Sequence, residues 1–140
     1  MKAAFLDRDG TIVREYPDEE WPFVSEPEFL DGTIEGLKRL QELGYSIIVI
    51  TNQYLINAGL ITQQQYEQFT RKMLGELTRH GITVLDIFFC PHTSEEGCRC
   101  MKPRPGMIEA ALAKHPAIEL SQSLLAGDRA TDIELAQRVG

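Results

Sequence analysis

The sequence predicts an α/β fold built on a parallel sheet, and three observations carry that prediction. Short apolar runs alternate along the chain with longer stretches of helical periodicity, the pattern of repeated strand–helix units. The run Ser46-Ile47-Ile48-Val49-Ile50-Thr51 is apolar without alternation, as a strand covered on both faces requires. Asp7, Thr51 and Asp128 each fall at the carboxyl end of an apolar run, the edge at which open parallel sheets bind ligands.

The elements follow in order. Lys2-Ala3-Ala4-Phe5-Leu6 is the first strand. Asp31 is expected to cap a helix running to about Leu43, with Ile34, Leu37, Leu40 and Leu43 along one side and Gly44 as its stop. After the second strand, Thr62 and Gln65 form a capping box for a long helix ending near His80-Gly81. Tyr66, Phe69, Met73 and Leu77 make its buried stripe. Val84 to Cys90 is the third strand, Pro105 opens a helix to about Lys114, and Leu124-Leu125-Ala126-Gly127 is the fourth strand. A last helix begins near Ala130 and runs to the end. Helices are expected on both faces of the sheet. There is no internal repeat and no low-complexity segment.

The 140 residues suit a single domain over 1–140, and 43% hydrophobic with 25% charged residues excludes disorder as an overall description. The net charge of −7 argues against nucleic acid or an anionic membrane as partner, since both need a cationic face. A locally positive site for a small phosphorylated metabolite is compatible with it. No apolar stretch approaches the roughly 20 residues needed to cross a bilayer, and the apolar start is too short for a signal peptide. Cytoplasm is therefore the expected location, and reduced thiols the expected state of the cysteines. Nothing in the sequence fixes the oligomeric state.

Asp7 and Asp9 lie two residues apart at a strand end, so both can face one cavity. Gly10 frees the backbone for the turn, and Thr11 can hydrogen-bond within it. Two carboxylates that close repel unless a cation or shared proton relieves them, and Asp128 would complete a hard oxygen site suited to magnesium. Such a site fits phosphoryl transfer: one carboxylate attacks phosphorus, the other protonates the leaving alcohol and later activates water. Lys102 is the candidate side-chain cation, and Thr51 with the backbone after it can hold phosphoryl oxygens.

The three cysteines lie within eleven residues, an odd and crowded set that points to metal before disulfides. Cys90-x-His92 followed by Cys98-x-Cys100 supplies four soft ligands in two close pairs, the donor set of a tetrahedral structural zinc site. All four positions would be filled by protein, so this metal fixes a loop and leaves no place for substrate. His80 and His115 fall outside the pattern.

Together, Asp7-Arg8-Asp9-Gly10-Thr11, Thr51-Asn52-Gln53, Lys102-Pro103 and Gly127-Asp128-Arg129-Ala130-Thr131-Asp132 resemble the four motifs of the haloacid dehalogenase superfamily. The resemblance runs through nearly the whole chain. It is closest to the capless group that contains the histidinol-phosphate and heptose bisphosphate phosphatases. It implies a three-layer, Rossmann-like fold without a large cap domain, with the zinc loop that this group carries. Asp7 would then be the nucleophile and Asp9 the general acid and base, with Thr51 and Lys102 as partners of the phosphate and nucleophile. Magnesium would be held by Asp7, the backbone carbonyl of Asp9, and Asp128. Asn52 and Arg129 are candidates for binding substrate, Arg129 having a solvated surface role as its alternative. Asp132 either supports the site from behind or merely occupies the first turn of a helix.

The substrates so implied are histidinol phosphate, to which the compact zinc loop and the motif around Asp128 point, and heptose bisphosphates. The segment Arg14-Glu15-Tyr16-Pro17-Asp18-Glu19-Glu20-Trp21-Pro22-Phe23 either borders the substrate or is a solvated loop with Trp21 packed on the domain. Two departures from the family pattern remove cations. Met101 stands where both subfamilies carry an arginine, and Tyr54-Leu55-Ile56-Asn57-Ala58-Gly59 replaces a glycine- and arginine-containing turn. The family pattern also continues past Gly140 with a further strand, so the 1–140 domain is expected to lack that strand. Transfer of the phosphoryl group to an acceptor other than water is the alternative enzymatic reading. A zinc-stabilised binding domain impaired in catalysis is the non-enzymatic one.

Overall fold

The computed structural model describes residues 1–127 and 129–140. Four strands, β1 (Lys2–Leu6), β2 (Tyr45–Asn52), β3 (Val84–Cys90) and β4 (Leu124–Ala126), form one parallel sheet in the order β3-β2-β1-β4. Helices α1 (Thr33–Glu42), α2 (Gln63–Arg79), α3 (Gly106–Lys114) and α4 (Ala130–Val139) complete a three-layer α/β domain without a cap.

The lack of alternation in β2 has the expected cause. Its odd-numbered residues Ile47 and Val49 join Ala4 and Leu6 of β1 on one face, packed with Leu37 of α1 and Tyr66, Phe69, Met73 and Leu77 of α2. Its even-numbered residues Ile48 and Ile50 join Ala3 and Phe5 on the other, against Met107, Ile108 and Ala111 of α3 and Leu135 of α4. The two central strands are thus apolar throughout because both of their faces are core. The α2 stripe and its capping box are as the sequence predicts. The Thr62 hydroxyl accepts from the Gln65 amide at 3.0 Å, and the Gln65 side chain accepts from the Thr62 amide at 2.8 Å.

Two details of α1 differ from expectation. Its N-cap is Gly32, not Asp31, and Asp31 is exposed. The chain enters through a turn closed by the Thr33 amide on the Leu30 carbonyl, 3.1 Å. That turn puts Gly32 in the left-handed region at φ 82°, open to glycine without steric cost, and leaves Asp31 one residue early for a cap. Leu43 is the C-cap rather than part of the buried stripe and is 46% exposed.

The sheet order also locates the site. From β1 the chain moves outward to β2 and β3, then returns across β1 to place β4 on its other side. The connections therefore diverge beside the carboxyl end of β1, where ligands bind in sheets of this kind. Asp7 lies at that point, its amide bonded to the Ala126 carbonyl at 3.0 Å.

Replacing Met73, fully buried between α2 and the sheet, by alanine is expected to cost about 2–5 kcal/mol. Leu43→Ala is expected to stay within about 0.5 kcal/mol. Denaturant titration of both variants measures the contrast; equal losses would contradict this assignment of the core.

Candidate active site

Asp7 is buried, and its Oδ1 accepts from its neighbour's amide, that of Arg8, at 2.9 Å and from Lys102 Nζ at 3.0 Å. Burial pushes the Asp7 carboxyl upward. The Lys102 ammonium offsets this in part, the Asp132 carboxylate adds to it, and the balance lies at about 6. The loop after Asp7 turns back at once: Gly10 adopts φ 83°, and the Ile12 and Val13 amides return to the Arg8 carbonyl at 2.9 and 3.1 Å. Asp9 is thereby brought into the same cavity as Asp7, as the spacing predicts.

The Asp9 carboxylate is held from two sides. Arg8 Nε donates to Oδ1 at 2.6 Å and Arg8 Nη2 to Oδ2 at 3.0 Å. Gln53 Nε2 donates to Oδ2 at 3.0 Å and also to Thr51 Oγ1 at 2.9 Å. Thr51, buried near the end of β2, accepts in this bond, which does not use its own hydroxyl hydrogen.

Lys102 is buried with all three ammonium donors matched. Nζ lies 3.0 Å from Asp7 Oδ1, 2.7 Å from Asp132 Oδ1 and 3.2 Å from the Ile50 carbonyl. Its backbone amide donates to Asn52 Oδ1 at 3.0 Å, which leaves the amide nitrogen of that side chain for the cavity that Asn52 lines. Asp132 fulfils both of its sequence readings at once. It sits in the first turn of α4, where Oδ2 accepts from the Arg129 amide at 3.3 Å, while Oδ1 anchors Lys102 from behind. A Cβ on Gly127 would run into the Asp132 carboxylate, so glycine is what lets this helix start approach the strand end. Asp128, expected as a magnesium ligand, lies outside the described residues.

Asp7, Asp9, Asn52, Gln53 and Lys102 line a cavity of about 460 Å³ together with Glu15, Asp18, Tyr54 and Arg129, while Thr51, Arg8 and Asp132 stand behind that lining. Arg129 pairs with Glu15 at its mouth, and the Tyr54 hydroxyl donates to Asp18 at 2.6 Å. The 14–23 segment therefore borders the site, and Trp21 is also packed on the domain. The residues that sequence reasoning left without a role are Arg8, Gln53 and Gly127. Arg8 and Gln53 each lie inside a motif run, one between two aspartates and one after Thr51-Asn52, which is the only signal they give.

The cysteine loop closes as its spacing predicts. The donor atoms of Cys90, His92, Cys98 and Cys100 all lie within 4.8 Å of one another. Cys90 Sγ is 3.4 Å from His92 Nδ1 and 3.5 Å from Cys98 Sγ, and His92 Nδ1 is 3.1 Å from Cys100 Sγ. A tetrahedron with ordinary zinc–ligand bonds has edges of about 3.3–3.8 Å, so the cluster could hold that ion with little movement. Burial raises the Cys98 thiol, but the Met101 amide and the neighbouring thiols outweigh it and bring it down to about 7, within reach of the thiolate a metal requires. The loop leads directly into Lys102, and Asn57 ties it to the turn after β2 through Glu96 at 3.1 Å.

Residues 2–139 match the family model described as polynucleotide kinase 3 phosphatase. The D-glycero-alpha-D-manno-heptose-1,7-bisphosphate 7-phosphatase of Photorhabdus laumondii is 40% identical over 147 residues, covering 100% of this chain and 79% of the relative. The chain belongs to the heptose bisphosphate phosphatase family of the haloacid dehalogenase superfamily. The beta-anomer enzyme of Haemophilus influenzae is 36% identical over 142 residues, covering 95% of this chain and 74% of its own length. Among solved structures, the D,D-heptose 1,7-bisphosphate phosphatase of B. bronchiseptica, complexed with magnesium and phosphate, superposes with a TM-score of 0.88 at 29% identity. The match covers 100% of this chain and 77% of that one. This member of the family is accordingly a phosphatase acting on phosphomonoesters, and no helix among its described residues is long and apolar enough to cross a membrane.

The raised Asp7 carboxyl sets a pH dependence for the metal-free protein. Folded Asp7 holds its proton up to about 6, the unfolded chain only to 3.8, so this group's stabilisation is complete below the lower value and is lost as pH rises through the higher. Asp7→Asn removes the titration. Its stability relative to the wild type is expected to climb between pH 4 and 7, by no more than about 3 kcal/mol. Chemical denaturation in chelator across that range measures it, and a difference flat in pH would refute the assignment.

Proposed function

We propose that this phosphatase hydrolyses a small phosphorylated metabolite through an aspartyl phosphate on Asp7, with a heptose bisphosphate as the leading substrate. The observation that carries the reading is the pairing of two carboxylates at one cavity with different partners: Asp7 against the Lys102 ammonium and Asp9 against donors that leave it facing the same space. An Asp7 oxygen attacks phosphorus and the bond from phosphorus to the ester oxygen breaks. Protonated Asp9 gives its proton to the departing alcohol, and the resulting carboxylate then takes one from the water that opens the acyl phosphate. Lys102 favours the ionised form of Asp7 against burial and would stand beside the charge that accumulates on the phosphoryl group. The Thr51 hydroxyl and the free end of the Asn52 amide are the neutral donors for its oxygens.

Magnesium fits this donor set. Asp7 and Asp9 supply hard oxygens, and a buried carboxyl held up at about 6 is what a divalent cation relieves. The ion would be bound by Asp7, the Asp9 carbonyl and Asp128, and would supply positive charge to the transferring phosphoryl group. Zinc, on the four-ligand cluster, would act by fixing the loop that delivers Lys102.

The heptose reading draws on the names of the relatives and on the cavity wall, where Glu15, Asp18 and Tyr54 offer acceptors and a donor suited to sugar hydroxyls. Histidinol phosphate rests on the sequence resemblance alone. Cytoplasm remains the location proposed for an enzyme of such a metabolite.

Purified protein is expected to release phosphate in a magnesium-dependent manner, fastest from a heptose 1,7-bisphosphate within a panel that includes histidinol phosphate. Asp7→Asn is expected to lower kcat at least about 10⁴-fold, since it removes the oxygen that attacks phosphorus. Turnover in chelator, or undiminished activity of the variant, would defeat the proposal. Elemental analysis of protein purified without chelator is expected to find one zinc per chain. Zinc stripping is expected to lower the melting temperature, and a metal-free protein of unchanged melting temperature would contradict the zinc assignment.

A further inference from the structure

Arg8 is 2% exposed, although nothing in the reaction described above requires a guanidinium there. Its carbon Cζ lies 4.6 Å from the ring centre of Phe69, 5.4 Å from that of Trp21 and 5.7 Å from that of Tyr66. Trp21 meets Phe69 edge-on at 5.6 Å and Tyr16 edge-on at 5.1 Å, which braces the cage. A guanidinium taken out of water is costly unless its donors are matched and its charge is balanced, and aromatic faces supply only part of that. The balancing anion is Asp9, gripped by the forked pair of bonds from Nε and Nη2.

The fork fixes more than position. A carboxylate oxygen has about two lone-pair sites. Among the described residues Oδ2 accepts two donors, Arg8 Nη2 and Gln53 Nε2, whereas Oδ1 accepts one, Arg8 Nε. Oδ1 is thus the oxygen with capacity left to carry a proton. A planar guanidinium bound at two points also sets the plane of the carboxylate, which a lysine, a single-point donor, cannot do.

We infer that Arg8, clamped between Trp21, Tyr66 and Phe69, is a positioning residue that aims Asp9 Oδ1 at the leaving oxygen of the substrate. The inference rests on the reading of Asp9 as general acid. It gives part of the α2 stripe a second task, since Tyr66 and Phe69 hold the cation that orients the acid as well as packing the core.

A general acid matters for an alkyl phosphate, whose alcohol leaves poorly, and little for p-nitrophenyl phosphate, whose phenolate leaves unaided. The test compares kcat/KM, which covers the steps up to release of the alcohol and not the later hydrolysis common to both esters, on p-nitrophenyl phosphate and on an alkyl phosphate for wild type, Asp9→Asn, Arg8→Met and Arg8→Lys, each saturated with magnesium and zinc. Arg8→Met fills the cage without the fork, and Arg8→Lys keeps the charge without it. For Arg8→Met the alkyl rate is expected to fall about 10²-fold and the aryl rate less than about 10-fold. Arg8→Lys is expected to shift the ratio the same way by a smaller factor, and it serves if the methionine variant does not fold. Equal losses on both esters in the Arg8 variants, alongside a selective loss in Asp9→Asn, would overturn the role of Arg8. Equal losses in Asp9→Asn would overturn the general-acid reading and this inference with it.

Discussion

The interaction on which the rest depends is the buried ammonium of Lys102 between Asp7 and Asp132. It joins the end of β1, the carbonyl of Ile50 in β2 and the first turn of α4, and its own backbone is pinned to Asn52. A lysine this deep is tolerable only because every donor has an acceptor and two carboxylates face it. Two anions against one cation leave a surplus of negative charge before Asp9 is added. Burial is why the Asp7 carboxyl nevertheless sits at about 6, with Lys102 opposing it and Asp132 adding to it, and a divalent cation would relieve both the burial and the surplus.

The surrounding fold serves this triad in ways its elements would not suggest singly. β4 is three residues long, yet it lies beside β1 at the point where the connections diverge, and it ends at the glycine over which Asp132 closes. The cysteine cluster begins on the last residue of β3 and ends two residues before Lys102, so the strand end and the lysine are linked by a loop with little apolar content of its own. A metal there would replace the core that such a loop cannot form.

Much of this was legible in the sequence because it depends on local pattern. The stripe of α2, the capping box at Thr62 and the unbroken apolar run of β2 are properties of neighbours along the chain, and the structure has all three. Asp31 misled because cap rules rank side chains, whereas the start of α1 is decided by a left-handed turn that suits glycine. Asp7, Asp9, Thr51 and Lys102 could be gathered by placing each at a strand end or in a recognisable run. Gln53, Arg8 and Gly127 could not, because what each does is set by a partner 44 residues distant for Gln53, by rings from two separate segments for Arg8, and by a helix turn folding back for Gly127. Asp132 shows the limit from the other side: a place in the first turn of a helix and support of the site were separate readings only so long as the direction of Lys102 was unknown.

Two carboxylates two residues apart begin as equivalent groups, and their surroundings make them different. Asp7 faces an ammonium, a point charge that favours its ionised form against burial. Asp9 faces a planar fork and a neutral amide, which fix its orientation and leave one oxygen with room for a proton. Lysine and arginine are not interchangeable here, since one sets charge and the other sets geometry. Division of labour between paired acids is a general device for running nucleophilic and acid chemistry at one pH. Under the proposed reaction that division would rest on the choice of cation beside each, Arg8 between the two aspartates and Lys102 two residues after the cysteine cluster.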